Sequence, residues 1–226
     1  MGSIGYGYGS EWQLLRYLGR HRSLLDSIIQ KETGCGGIEW LDFGFDEDDR
    51  SRDEEWKGLG FLRVDSVLQE SWRAYWPQGA GIHNWDAVAK CCTSEKAGEW
   101  ILLEAKANLE ELKTTCKASG SESLRKIEAA FDATKAALGV PADANWNSPF
   151  YQHCNRIGCL HFLLTHGVAA RLIFLYFCGD KGNTGRTCPS DPRGWEEAIE
   201  ELYRHIGLPG MHYLKERIHT IFVHCG

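Results

Sequence analysis

The amino-acid sequence predicts an α/β fold, and two observations lead to this prediction. Segments in which apolar residues recur with the period of a helix alternate along the chain with short segments typical of strands. One of these, residues 171–177, is almost continuously apolar, as is typical of a strand buried on both faces of a sheet. The chain of 226 residues suits one large domain, so we expect a flexible glycine-rich segment at 1–9 and a single domain over 10–226.

The first half of the chain is predicted to form one helix and several strands. Ser10, followed three residues later by Gln13, has the pattern of a capping box, and apolar residues at helical spacing continue to about residue 30. The link 91–98 is short and polar, which favours a hairpin between the strands on either side of it. The predicted strands lie at 37–43, 59–64, 82–90 and 99–107.

The second half of the chain is predicted to contain three helices and two strands. Ser148 and Pro149 are a capping residue followed by a proline at the first helical position, which predicts that a helix begins there and continues to residue 166. Residues 180–193, with glycine, proline and asparagine, predict a loop. A second helix is predicted to be capped by Ser121 or Ser123 and to stop at Gly139, and a third is predicted at 195–206. The strands are predicted at 171–177 and 218–224.

Charge is distributed unevenly along the chain. The formal net charge is −6, and residues 46–55 contain seven acidic and two basic side chains, which leaves the rest of the chain close to neutral. We interpret this acidic loop, 46–55, as a solvated connection; a loop that collects metal ions or mimics phosphate charge is an alternative. A protein that binds polyanions without selectivity would normally be basic, so the composition disfavours that class.

The nine cysteines do not form a repeating pattern, and their number is odd. The N-terminal residues lack the pattern of a signal peptide, and no apolar segment is long enough and free enough of charge to span a membrane. We therefore expect a soluble cytoplasmic protein without membrane contact and without a disulfide framework. The cysteine spacing fits zinc sites poorly, although a zinc-stapled interaction module remains a weaker alternative.

The strongest chemical signal lies on the predicted hairpin. Glu104 and Lys106 are two residues apart on a strand and therefore share a face, and Asp86 on the preceding strand can stand beside Glu104. Two carboxylates in a half-buried sheet need compensation, which a hard divalent cation such as Mg²⁺ provides. A lysine next to the cation could orient the attacking water. The alternative is an ordinary cross-strand ion pair between Lys106 and Asp86.

Two helices offer further polar residues to such a site. Glu11 shares a helical face with Leu15 and Leu18, so we expect its carboxylate to lean toward the core, although an acid in a first helical turn also suits the helix dipole. Gln152 and Arg156 share a face at i, i+4 in the helix predicted to begin at residue 148. An ordinary exposed pair is the alternative for these two residues.

The order of these residues resembles the PD-(D/E)xK nuclease superfamily. A helix with Glu11 precedes a strand with Asp86 and a strand with Glu104-Ala105-Lys106, and Gln152 matches the polar residue of the following helix. The residue before Asp86 is Trp85, where the family's motif has proline. The resemblance implies a restriction-endonuclease-like αβββαβ core, in which helices flank a central mixed sheet.

The resemblance also implies an activity, namely hydrolysis of phosphodiester bonds in DNA with Mg²⁺ or Mn²⁺. Asp86, Glu104 and the Ala105 carbonyl would bind the metal, with Glu11 acting directly or through water. Lys106 would position the attacking water and stabilise charge on the phosphate. Gln152 and Arg156 would contact the substrate. The partner is then a nucleic acid, and a homodimer is compatible with the sequence; the alternative function is a non-catalytic nucleic-acid-binding or regulatory protein on the same fold.

Overall fold

A computed structural model describes residues 7–41, 55–62, 66–79, 82–93, 98–180 and 185–225 of the chain. Six α-helices are described: α1 (Ser10–Arg20), α2 (Arg22–Thr33), α3 (Ser66–Tyr75), α4 (Ser121–Leu138), α5 (Tyr151–Thr165) and α6 (Pro192–Ile206). The described strands are β1 (Gly37–Trp40), β2 (Trp56–Lys57), β3 (Asn84–Trp85), β4 (Ala87–Thr93), β5 (Trp100–Lys106), β6 (Ala170–Cys178) and β7 (Ile218–His224). Short 3-10 turns at Leu109–Leu112 and Lys215–Arg217 follow β5 and precede β7.

Five of these strands form the main sheet, in the order β1-β4-β5-β6-β7. The pairs β1–β4 and β4–β5 are antiparallel, whereas β5–β6 and β6–β7 are parallel. The α/β class and a mixed central sheet flanked by helices are therefore confirmed. The finer assignment to the restriction-endonuclease-like fold stays a prediction.

Helices cover both faces of the sheet and create two hydrophobic cores. Leu14, Leu18 and Leu25 of α1 and α2 pack on one face with Leu103 and Ala105 of β5. The other face packs against α3 to α6 and includes Leu102 of β5, next to Leu103 in sequence. Since side chains alternate along a strand, Glu104 and Lys106 point to the face covered by α5.

Most predicted helices and strands lie close to their expected positions, but the N-terminal helix is an exception. It breaks at His21 into α1 and α2. Gly9, rather than Ser10, caps α1, and no side chain caps it. Gln13 is buried and donates a hydrogen bond to Asp180, so the predicted capping box is wrong.

Other boundaries also differ from the prediction, and α6 begins at Pro192, inside the predicted loop 180–193. Residues 59–62 form a turn rather than a strand, and the predicted strand 82–90 is interrupted at Asp86 between β3 and β4. Strand β1 ends at Trp40, and residues 42–43 of its predicted range lie outside the described residues. Helix α5 begins at Tyr151 because Thr114 accepts hydrogen bonds from the N–H groups of Tyr151 and Gln152, so Pro149 lies before the helix.

One expectation about the cysteines is also corrected. Cys35, in the segment between α2 and β1, forms a disulfide with Cys91 of β4, with 5.8 Å between the two Cα atoms. Cys154, Cys159 and Cys178 are free and buried, as their apolar surroundings predict. The acidic loop lies outside the described residues except for Glu55. None of the described helices combines the length and the apolar character that crossing a lipid bilayer requires.

Candidate active site

Glu104 and Lys106 meet at the C-terminal end of β5. Both side chains are buried, with 1% of Glu104 and 9% of Lys106 exposed. The Lys106 ammonium donates hydrogen bonds to Glu104 Oε1 and, at 2.9 Å, to Gln152 Oε1 on α5. The structure therefore brings the predicted Glu-x-Lys pair and Gln152 together on one face of the sheet.

Asp86 lies beside this pair because β4 begins immediately after it. The β4–β5 register pairs Ala87 with Leu103, and its continuation places Asp86 opposite Glu104. The Ala105 N–H donates a hydrogen bond to Asp86 Oδ2 at 2.6 Å. The predicted hairpin thus positions both carboxylates at the same edge of the sheet.

Arg156 was predicted to contact substrate, and the structure corrects this role. Only 2% of the residue is exposed. Its Nε donates to Glu104 Oε2 at 2.7 Å, its Nη1 donates to Asn155 Oδ1 at 2.8 Å, and its Nη2 donates to the Asn84 carbonyl. The guanidinium also lies 4.9 Å from the centre of the Trp85 ring, so Trp85 supports the site where the family's motif has proline. Arg156 is a buried counter-charge for Glu104 and does not face a substrate.

Glu11 does not join the cluster. It is exposed in the first turn of α1, and α1 packs on the face of the sheet opposite Glu104. Within the described ranges, nothing forms a hydrogen bond or ion pair with the Glu11 carboxylate. Helical spacing placed it with Leu15 and Leu18, but the buried stripe of α1 is centred on Leu14 and Tyr17.

The two carboxylates have opposite electrostatic environments. Burial raises the pKa of Glu104, but the charges of Arg156 and Lys106 and their hydrogen bonds outweigh this effect, so the pKa lies below its ordinary value. Burial and the neighbouring Glu104 charge raise the pKa of Asp86 to about 7, against the opposing effects of Lys106, the Ala105 N–H and Arg156. Glu104 therefore has two cationic partners in contact, whereas the only described group that donates to Asp86 is a backbone amide.

The oxygen atoms at this edge suit a hard divalent cation. The N–H and C=O of a strand residue point to the same side of the strand. The Ala105 carbonyl therefore points, like its N–H, toward Asp86, the residue that precedes β4. No described group donates a hydrogen bond to this carbonyl. Mg²⁺ is commonly held by one or two carboxylates together with waters and substrate phosphates. Asp86, Glu104 and Ala105 fit this chemistry.

Larger metal-ligand sets are missing from the part of the chain that the structure describes. No group of three or more His, Cys, Asp or Glu side chains there could hold a metal ion. The zinc-module alternative therefore has no ligand set among those residues. The magnesium candidate has only two carboxylates and needs the backbone carbonyl as its third protein ligand.

Sequence reasoning missed a cavity directly below the Glu104–Lys106 pair. The volume that the centre of a water molecule can occupy in this cavity is about 10 Å³. The polar residues of the lining include Gln152, His153 and Tyr176. His153 Nε2 and the Tyr176 hydroxyl are buried and have no hydrogen-bond partner among the residues that the structure describes. Burial, and to a smaller extent the Lys106 charge, lower the pKa of His153 to about 3, so this imidazole is neutral. The β5–β6 register, which pairs Lys106 with Tyr176, brings the hydroxyl here.

Comparisons with known proteins add no assignment for this site. No family model, curated protein sequence or solved structure matches the chain. The resemblance to the PD-(D/E)xK superfamily therefore depends on the residues of the hairpin and their geometry alone.

Proposed function

We propose that the protein is a metal-dependent phosphodiester hydrolase that acts on nucleic acid, with DNA as the expected substrate. The observation that supports this most directly is the excess of oxygen ligands at one edge of the sheet. Asp86, with a raised pKa and no cation in contact, lies next to Glu104 and an unpaired Ala105 carbonyl. A buried carboxylate pair is costly unless positive charge compensates it, and a Mg²⁺ or Mn²⁺ ion would supply that charge.

The residues of the chain have separate tasks in this proposal. Asp86, Glu104 and the Ala105 carbonyl would hold the metal ion, which polarises a phosphate oxygen and lowers the pKa of a bound water. Lys106 would orient the attacking water and stabilise charge on the phosphate, while its hydrogen bond to Gln152 fixes the ammonium. Arg156 would hold Glu104 in place through its bond to Oε2.

The surface next to Lys106 can accommodate a phosphate backbone despite the acidic net charge. Lys113 and Lys117 are exposed on the segment that leads from the 3-10 turn after β5 toward α4, and residues 112–120 contain no acid. Thr114 of the same segment accepts the hydrogen bond from the Gln152 N–H, so the segment lies against the positive end of the α5 dipole. Lys113 and Lys117 would offer positive charge to a phosphate backbone, although Glu110 and Glu111 of the preceding 3-10 turn oppose it.

One observation favours a second candidate, a non-catalytic nucleic-acid-binding or regulatory protein. Both Glu104 oxygens already have cationic partners, Lys106 at Oε1 and Arg156 at Oε2. If this network is closed in solution, Glu104 has no oxygen to offer a metal ion. The same fold would then retain its shape without hydrolysing a phosphodiester bond.

Metal titration and DNA cleavage with two variants separate the candidates. Glu104→Gln removes a ligand charge, so metal affinity should fall and added Mn²⁺ should restore part of the activity. Lys106→Ala should retain metal binding but lose about 10²–10³ in cleavage rate, and excess metal should not restore it. Calorimetry measures metal binding, and nicking of a supercoiled plasmid measures turnover.

The matched controls for these variants are Glu55→Gln and Lys57→Ala, since residues 55–57 repeat the Glu-x-Lys spacing at an exposed position. Both controls should cleave like the wild type. Wild-type protein that binds neither Mg²⁺ nor Mn²⁺ at millimolar concentration and nicks no DNA would exclude the hydrolase and favour the second candidate. Unchanged cleavage in both site variants would place the activity elsewhere.

A further inference from the structure

Strand β7 forms one edge of the main sheet, and its sequence is unusual for an edge. Within the described residues it pairs only with β6, in a parallel register from Leu172–Ile218 to Cys178–His224. Its seven residues, Ile-His-Thr-Ile-Phe-Val-His, include no Lys, Arg, Asp, Glu or Pro. Charged residues and proline are the usual means by which edge strands avoid pairing with another chain. This edge is therefore suited to receive a further strand.

The backbone of β7 presents unpaired groups on its outer side. The Cys225 N–H donates to the Cys178 carbonyl at 2.8 Å, so Cys225 is directed toward β6. Backbone direction alternates along a strand, and Ile218, Thr220 and Phe222 therefore direct their N–H and C=O groups outward. In the ranges that the structure describes, no hydrogen bond reaches these outward groups. All three residues are partly exposed.

We propose that β7 pairs in antiparallel fashion with β7 of a second copy of the chain, about a twofold axis at Thr220. The strand is self-complementary in this register, because Thr220 opposes Thr220, and Ile218 of each copy opposes Phe222 of the other. Thr–Thr pairs and aromatic pairs with β-branched residues are favourable across strands. The outward groups of the three residues then exchange hydrogen bonds in each copy, and no like charges face one another within the strand.

The surroundings of β7 leave room for this strand and limit its length. An open cleft of about 560 Å³ lies along Ile218 and Thr220, between Glu32 at the end of α2 and the segment 208–216. At the other end of the strand, the Tyr17 hydroxyl from α1 donates to the His224 carbonyl. Tyr17 thus occupies the outer side of His224, so the pairing extends over 218–222.

Hydrogen exchange on the full chain tests this arrangement without any mutation. The native chain should have twice its monomer mass of 25.5 kDa in sedimentation or light scattering. Dilution should convert it to monomer and accelerate exchange at the outward amides of Thr220 and Phe222. The inward amides of Ile221 and Val223 should stay protected in both states, since they bond to β6, and they serve as the internal control.

A proline substitution provides the second test, because it removes a backbone donor that β6 does not use. Thr220→Pro should weaken dimerisation by about tenfold or more, the equivalent of losing one or two hydrogen bonds at the centre of the interface. Thr220→Val keeps the donor and removes only the hydroxyl, so it should stay dimeric. A native chain that remains monomeric at high concentration overturns the proposal and leaves the edge to a peptide of another protein. A dimer whose Thr220 and Phe222 amides exchange rapidly overturns it as well.

Discussion

Strand β5 has a buried glutamate at each end, Glu99 just before its first residue and Glu104 near its last. Glu99 accepts a 2.8 Å hydrogen bond from Arg171 and also pairs with Arg217, so one acid lies between two arginines. Glu104 likewise lies between Arg156 and Lys106, but there a second acid stands beside the cluster. At the Glu99 end two positive charges face one acid, whereas at the Glu104 end two positive charges balance two acids once Asp86 is ionised.

The difference shows what distinguishes a candidate reaction site from a structural ion pair. A buried acid with two cations is common to both ends and therefore indicates nothing about chemistry. At the Glu104 end lie Asp86, an Ala105 carbonyl that receives no hydrogen bond from any described group, and the polar cavity beside Tyr176. The functional proposal accordingly depends on Asp86 and its surroundings more than on the Glu-x-Lys spacing.

Removing one arginine from each end gives the largest expected effects. Arg171→Leu and Arg156→Leu each leave a buried carboxylate short of a partner, which costs about 3–5 kcal/mol of the free energy of unfolding. For a chain of this size, each kcal/mol lowers the melting temperature by about 2–4 °C. Because Asp86 supplies a second carboxylate beside Glu104, Mn²⁺ should restore part of the lost stability in Arg156→Leu and little in Arg171→Leu.

Calorimetric melting of both variants with and without millimolar Mn²⁺ measures this difference. The wild type, melted under the same conditions, is the reference for nonspecific effects of the ion. An equal response of the two variants to Mn²⁺ would remove the distinction between the ends of β5.

The sequence predicted the Glu104 end well and did not predict the Glu99 end. Alternation along a single strand is enough to place Glu104 and Lys106 on one face, and a short polar link is enough to bring Asp86 beside them. The partners Arg171 and Arg156 come from segments 72 and 52 residues away from their glutamates, and periodicity in one sequence contains no information about such pairs.

The same limit explains the errors in the fold. Strands β5, β6 and β7 lie close to their predicted positions because their apolar patterns are strong, whereas the short helix α3 was not predicted at all. Helix α3 is held by tertiary packing, in which Trp72 and Trp76 stack on each other and contact His83. The disulfide was rejected on an argument about cellular compartment, which says nothing about two cysteines whose Cα atoms lie 5.8 Å apart.

The raised pKa of Asp86 makes the stability of the Glu104 end depend on pH. The pKa of Asp86 is raised from 3.8 to about 7 by burial and by Glu104. Between these values the folded carboxyl binds a proton that the unfolded carboxyl has released, so stability should fall as pH rises from about 4 to 7 and then level off. The lowered pKa of Glu104 acts in the opposite sense, and its contribution is lost only at more acidic pH.

Denaturant unfolding of metal-free wild type and Asp86→Asn across this pH range measures the effect. Asp86→Asn should flatten the slope between pH 4 and 7, because an amide does not titrate. Metal affinity of the wild type should rise over the same range, since protons compete with the cation for Asp86. A slope that persists in Asp86→Asn would assign the titration to another group and weaken the contrast between the two ends.

The smallest expected effect comes from the cavity that only the Glu104 end has. The volume open to the centre of a water molecule, about 10 Å³, is close to the smallest that holds a buried water. Lys106, Gln152 and Tyr176 in the lining can form hydrogen bonds with such a water. We therefore expect Tyr176→Phe to lose one hydrogen bond to such a water, at a cost of about 1 kcal/mol. Tyr75→Phe is the control for a hydroxyl bonded directly to protein, since the Tyr75 hydroxyl contacts Thr134 at 3.0 Å and also the Ala130 and Gly158 carbonyls, so its loss should cost at least as much. Equilibrium unfolding of both variants decides the point. A Tyr176→Phe protein that is more stable than the wild type would show that the cavity is dry and that the Tyr176 hydroxyl has no part in holding the Glu104–Lys106 pair.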